Sequence, residues 1–338
     1  MPLIASQNRE DAAESPLRFF ETAGPFLGRL DEYFAAMRSD FEPELRELVD
    51  YALGHSGKRL RPIALFLTGT NAQGDFNEEM VRAAAVVELV HLATLVHDDI
   101  LDEAELRHDS PTVSRKHGVT SAVLLGDALF AQSLQVASRF PTTEVCRLVS
   151  EATRKVCAGE VEQSLEPGED RHGLERYFRI IERKTAVLFE VACRLGAILG
   201  HPRGESVAEA AALGRHLGIA YQIYDDLLDV LGSEKSTGKT LGTDFHSGKG
   251  TLPLLLLHEV MSGEGGSDPF AAVGDRLNGA RHDLQRLMRE RGVVDRVRGY
   301  FREELEQARA GATQFAARTG NELPLELADY VESRFSGV

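Results

Sequence analysis

Two short stretches of the chain carry the same acidic signature. In HDDILD, residues 97 to 102, Asp98, Asp99 and Asp102 stand at DDxxD spacing, and YDDLLD repeats the pattern with Asp225, Asp226 and Asp229. Positions four apart on a helix share a face, so each stretch offers two carboxylates able to share metal ions, with the middle acid beside them. With 20 Asp in 338 residues, a random chain would hold roughly 0.07 such matches. Two copies therefore call for a chemical reason. Both lie in apolar surroundings, VVELVHLATLVHDDIL and LGIAYQIYDDLLDVL, and six carboxylates cannot be buried there without cations. Oxygen-only donor sets suit Mg²⁺, which keeps part of its water shell and is readily shared with phosphate oxygens. The pattern implies a di- or triphosphate clamped between two acidic helix faces.

Cations for such a ligand are spread along the chain. HSGKRLRP supplies Lys58, Arg59 and Arg61, ERKTA supplies Lys184 next to Thr185, and GKTLGTDFHSGKGTLP supplies Lys239 and Lys249. Two other chemistries are weaker fits. SEKSTGKT approaches a phosphate-binding P-loop, but Ser233 stands where GxxxxGK[ST] needs glycine, and the segment follows a helical pattern rather than a strand. A phosphohydrolase built on His97 and Asp98 with His55 or His91 leaves the second acidic motif unexplained.

The elements that must position these groups read as helices almost throughout. Segments such as EVCRLVSEATRKVCAGEVEQSL and LERYFRIIERKTAVLFEVACRLGAILG are rich in strong helix formers, and no stretch alternates at period two. The fold class is all-α, a large helical bundle, with short breaks marked by Gly and Pro. One all-α domain over 16–338 is expected, preceded by a disordered tail over 1–15 that lacks the basic start and apolar segment of a signal peptide. Lys and Arg total 38 against 53 Asp and Glu, a formal net charge of -15, which argues against bulk attraction to nucleic acid or anionic lipid. Cys146, Cys157 and Cys193 show no CxxC spacing and read as reduced, buried thiols of a cytoplasmic protein. The run VRAAAVVELVHLATLVHDDIL contains Arg82, Glu88 and His91 and reads as a buried helix, not a membrane span.

The ordered set GKRLRP, HLATLVHDDILDEAELR, LLGDALF, GEVEQ, KTAVLF, AYQIYDDLLD and GKTLGTDFHSGKGTLP resembles the trans-type polyprenyl diphosphate synthases over residues 25 to 335. The resemblance implies the isoprenoid-synthase helical bundle around an apolar cavity, acting as a homodimer. It implies that Asp98, Asp102 and Asp225 ligate three Mg²⁺ ions, with Asp99, Asp226 and Asp229 as supporting or water-mediated partners. Lys58, Arg61 and His91 would hold isopentenyl diphosphate. Arg107, Lys184, Lys239 and Lys249 would hold an allylic diphosphate (farnesyl, geranyl or dimethylallyl), with Thr185 and Gln222 facing the reacting carbons. The reaction would be ionisation of the allylic diphosphate, attack by the isopentenyl double bond, and loss of a proton.

The chain departs from the family pattern after the first motif. Relatives commonly show a second Arg followed by Gly, where this chain has His108 and Asp109. The second Arg would touch isopentenyl diphosphate, so a weaker, pH-dependent grip is expected from His108. Four and five residues before Asp98 stand Thr94 and Ala93, one helical turn below the acidic face. Their small size leaves a path for a long tail, with Phe130 or Leu134 as a possible floor. A product longer than geranylgeranyl diphosphate is the expectation; a short-chain synthase and a non-catalytic partner subunit are the alternatives, and a terpene cyclase would not need GKRLRP.

Overall fold

The computed structural model describes residues 18–55, 57–165, 173–201, 204, 206–232, 249–262 and 281–336. The expected tail at 1–15 and Lys239 lie outside these residues. The order of elements is α1 (Arg18–Met37), α2 (Arg46–Gly54), α3 (Leu60–Gly69), α4 (Glu78–Leu101), β1 (Leu106–Arg107), β2 (Ser110–Pro111), α5 (Val113–His117), α6 (Val119–Ser138), α7 (Glu144–Leu165) and α8 (Leu174–Ile181). A π-helical turn (Glu182–Ala186) then leads into α9 (Val187–Gly200), α10 (Val207–Leu231), α11 (Leu252–Ser262), α12 (Arg281–Glu290), α13 (Val293–Thr319) and α14 (Leu323–Ser336). The all-α reading holds. Among the described residues a two-stranded hairpin, β1–β2, is added, too short for an alternating pattern to show.

Helices α4 and α10 form the centre of the bundle. Asn77 caps α4, its side chain accepting from the Met80 amide at 2.9 Å, and Glu78 and Glu79 in the first turn complement the positive end of the helix. Helix α4 is apolar around most of its circumference because it is packed on several sides, against α6, α3, α9 and α1. Val81, Val86, Leu89 and Val90 are fully or almost fully buried, each contributing on the order of 1.5–3 kcal/mol relative to exposure. Helix α10 packs against α9 and α13. Helices α3 and α9 touch backbone to backbone: a Cβ on Gly200 would lie 1.7 Å from the Gly69 carbonyl oxygen, so only glycine permits this approach.

By length and composition both α4 and α6 could cross a bilayer. Helix α4 is largely enclosed by its neighbours, in line with the buried-helix reading. Helix α6 is less so, exposing Val119, Val123, Leu124 and Leu134. The cysteines are free, but only Cys193 is buried; Cys146 is half-buried and Cys157 exposed. This corrects the expectation of three buried thiols, since Cys157 lies on an outer face of α7 that the apolar pattern around it does not reveal.

Candidate active site

The first acidic motif lies where α4 stops. The Asp102 amide still bonds to the Asp98 carbonyl at 2.8 Å, Glu103 turns left-handed at φ 50°, and the chain reverses into the hairpin. His108 and Asp109 form the hairpin turn, both left-handed at φ 51° and 59°. Turns of this kind favour Asn and Gly because other residues meet steric strain there. The geometry has two consequences. Arg107 is carried back onto Asp99, with Nε and Nη2 donating to Oδ1 at 2.8 and 2.7 Å. The His108 imidazole is laid on Gly57, where a Cβ would lie 2.8 Å from His108 Cε1, so the turn before Lys58 accepts only glycine.

Around the end of α4 the expected groups gather. Lys249 donates to Asp102 at 2.7 Å. Lys184, on the π-helical turn, donates to Gln163 at 2.7 Å and pairs with Glu160. Burial pushes the Asp98 carboxyl well above its usual pKa; Lys184 opposes the shift, and Glu160 and Asp102 add to it. Arg107 feels the charges of Asp99, Asp98 and, from α10, Asp225. The two acidic motifs therefore face each other across Arg107.

The second motif is held differently. Asp226 accepts from the Tyr177 hydroxyl at 2.7 Å and from Gln222 Nε2 at 2.8 Å. Gln222 Oε1 in turn accepts from the Thr185 hydroxyl at 2.6 Å. Asp99 and Asp226 are each only 4% exposed, and both turn their carboxylates to protein donors. Each is thus held in place by neighbouring side chains. Asp225 and Asp229, one turn apart on α10, are half-buried.

A basic cluster adjoins this site. Arg61 lies 4.6 Å from the centre of the Phe189 ring and donates through Nη1 to His91 Nε2 at 2.9 Å. That bond makes His91 Nε2 an acceptor that orients the Arg61 guanidinium. Lys58 donates to the Tyr330 hydroxyl at 3.0 Å. Helix α14 is brought there by Asn321, whose amide donates to the carbonyls of Leu67 and Thr70 at the end of α3. Arg59 is turned away, paired with Asp31 of α1. Below the acids, Thr94 gives its hydroxyl to the His91 carbonyl at 2.7 Å, and Ala93 is entirely covered. The side of the helix turn that retains open surface is that of Thr94, not Ala93.

The sequence did not single out Glu160, Tyr177 or Tyr330. Glu160 was visible only as part of GEVEQ. Tyr177 lies eight residues before Thr185, near the two-turn spacing that shares a helix face, and the π-helical turn between them alters the register. Tyr330 carries no local signal.

The donor chemistry fits a hard divalent cation. Asp98, Asp102 and Asp225 are oxygen donors, and Asp98 is raised chiefly by burial, with Glu160 and Asp102 adding to the shift. Among the described residues no three Asp, Glu, His or Cys side chains form a ready-made cage. A groove of about 490 Å³ lies between α7 and α8–α9, but its lining mixes Arg154, Lys155, Arg179 and Arg183 with Glu182 and Glu190.

Residues 42–268 match the polyprenyl synthetase family model. The chain belongs to the polyprenyl synthetase family. It is 32% identical over 267 residues to octaprenyl diphosphate synthase of Escherichia coli, covering 78% of this chain and 82% of that one. It is 37% identical over 219 residues to heptaprenyl diphosphate synthase component 2 of Bacillus subtilis, covering 65% of this chain and 62% of that protein. Its fold superposes with a TM-score of 0.83, at 29% identity over 95% of this chain and 98% of the other, on a polyprenyl synthase from Caulobacter crescentus solved with calcium and isoprenyl diphosphate. The family resemblance read from the motifs and the all-α architecture both hold.

Proposed function

We propose that the protein is a Mg²⁺-dependent trans-prenyltransferase that condenses isopentenyl diphosphate with an allylic diphosphate and makes a product longer than geranylgeranyl diphosphate. The observation that carries this reading is the convergence of the two acidic motifs on Arg107, with Lys184 and Lys249 alongside and the Lys58–Arg61 cluster adjoining. Membership of a family whose relatives are named for such products supports it.

Asp98, Asp102 and Asp225 would hold three Mg²⁺ ions with the diphosphate. When bound, the metal supplies electrostatic stabilisation of the charge that develops on the departing diphosphate. Arg107, Lys184, Lys239 and Lys249 would receive the allylic diphosphate, their charges favouring the leaving group once the C–O bond ionises. Lys58, Arg61, His91 and His108 would hold isopentenyl diphosphate so that its double bond attacks the allylic cation. Thr185 and Gln222 would present oxygen toward that cation. The departed diphosphate takes the proton lost from the condensed intermediate, so no Ser-His or Cys-His pair is required.

The long product is supported by the small Thr94 on the half-buried side of α4, with Phe130 across from His97 at 5.9 Å as a candidate floor. Assembly as a homodimer is supported by the exposed apolar side chains of α6 together with Val161 and Leu165 of α7. A cytoplasmic setting accords with the free cysteines. A second reading, that the chain is one part of a two-component synthase, is favoured by the relative named component 2.

The test is an incubation of the purified chain with Mg²⁺, labelled isopentenyl diphosphate and farnesyl diphosphate, with product length read by chromatography. Extended prenyl diphosphates are expected. No elongation by the chain alone would overturn the proposal in favour of the component reading.

A further inference from the structure

The hydrogen-bonded chain through Asp226 has a direction. A carboxylate only accepts hydrogen bonds. Tyr177 donates its hydroxyl to one oxygen at 2.7 Å, and Gln222 donates its amide NH₂ to the other at 2.8 Å. That second bond fixes which end of the Gln222 amide is which, leaving its carbonyl oxygen to accept from Thr185 at 2.6 Å. Every proton in the chain therefore points toward Asp226. The Thr185 hydroxyl, with its hydrogen committed, has only lone pairs left for any third partner.

Asp226 and Tyr177 are almost fully buried, at 4% exposure each, so the chain is shielded from water that could replace its donors. We propose that Tyr177 is a positioning residue for prenyl transfer: by holding Asp226 it fixes the Gln222 amide, so that Thr185 presents oxygen lone pairs to the positive charge that forms on the allylic carbon. This rests on the prenyltransferase reading of the site. Removing the Tyr177 hydroxyl takes away one of Asp226's donors and loosens the carboxylate that orients Gln222. A Gln222 amide free to turn over would offer its NH₂ to Thr185, and Thr185 could then direct its hydrogen toward the cation, the wrong polarity for stabilising it.

The test compares two ligands by titration calorimetry in the presence of Mg²⁺. One is an unreactive allylic thiodiphosphate, neutral at the reacting carbon. The other is an allylic diphosphate analogue with an ammonium nitrogen in place of the carbon that becomes positive. Tyr177→Phe is expected to weaken the ammonium analogue about tenfold while leaving the thiodiphosphate within twofold of the unmodified protein. The loss should vanish in a Thr185→Val background, because residues acting in one chain are not additive. Equal loss for both ligands, or a loss that persists without the Thr185 hydroxyl, would overturn the proposal and make Tyr177 a packing residue. If Tyr177→Phe does not fold, Gln222→Leu supplies the second test. Replacing the Gln222 amide by an apolar side chain takes away the acceptor that holds the Thr185 hydrogen and should weaken only the ammonium analogue; unchanged selectivity would overturn the proposal. Failure of the unmodified protein to bind either ligand would instead overturn the prenyltransferase reading, and this proposal with it.

Discussion

The middle acids of the two motifs occupy equivalent positions in DDxxD and are equally buried, yet the protein satisfies them differently. Asp99, at the end of α4, is met by the Arg107 guanidinium. Asp226, on α10, is met by two neutral donors, Tyr177 and Gln222. An ion pair cancels the carboxylate's charge, whereas neutral hydrogen bonds stabilise the charge and leave it in place. Among the described residues the first motif thus meets two cations, Arg107 on Asp99 and Lys249 on Asp102, while Tyr177 and Gln222 bring neutral donors to Asp226. Helix α4 holds a third case. Glu88 is fully buried, neither of its oxygens has a hydrogen-bond partner, and burial pushes its pKa up to about 7 against the pull of Arg61 and Arg59. An acid without donors meets the cost of burial by holding its proton.

If the outer acids carry the metal and the middle acids only support, their losses should differ sharply. Asp98→Asn is expected to lower kcat/KM about a thousandfold and Asp226→Asn about tenfold, as steady-state assays would show. Equal losses would mean that the middle acids ligate as well.

The Glu88 case is sharpened by pH. A carboxyl whose folded pKa lies above its unfolded value favours the folded state fully at low pH, and that advantage is lost as pH rises from about 4.5 to about 7. Glu88→Gln should therefore gain stability relative to the unmodified protein as pH rises from 5 to 8, by up to about 3 kcal/mol, read as a growing difference in melting temperature. A constant gap across that range would show that Glu88 is not protonated in the fold.

Charged and neutral donors should also differ in stability. Arg107→Gln removes a charge partner from a buried acid and should cost about 2 kcal/mol, whereas Tyr177→Phe removes one neutral donor and should cost about 1 kcal/mol. Denaturant titrations give both values; the reverse order would break the comparison. The smallest effect belongs to the hairpin that delivers Arg107. Asp109→Gly relieves a left-handed residue and should stabilise by about 0.5–1 kcal/mol. Destabilisation would mean that the Asp109 side chain holds the turn.

The sequence made the helices and the acidic pairs legible because both depend on local spacing: i and i+4 on one face, helix formers between Gly and Pro breaks. It did not reveal what each acid would meet. Arg107 reaches Asp99 through a turn made by His108 and Asp109, which lacks the Asn-Gly signature of such turns. Tyr177 and Asp226 are 49 residues apart in sequence, and Lys58 and Tyr330 are 272 apart; no local pattern encodes such pairs. His91 accepts from Arg61 through Nε2 across 30 residues of sequence, another pairing that no local pattern encodes. Ala93 is fully covered by neighbours that a helical projection does not show.

The central claim is that the two motifs hold one diphosphate together. Binding of an unreactive allylic thiodiphosphate, measured by calorimetry with and without Mg²⁺, tests it most directly. The account predicts binding that requires Mg²⁺ and weakens at least about a hundredfold in both Asp98→Asn and Asp225→Asn. Unchanged binding in Asp225→Asn, with Asp98→Asn impaired, would show that the second motif does not share the ligand.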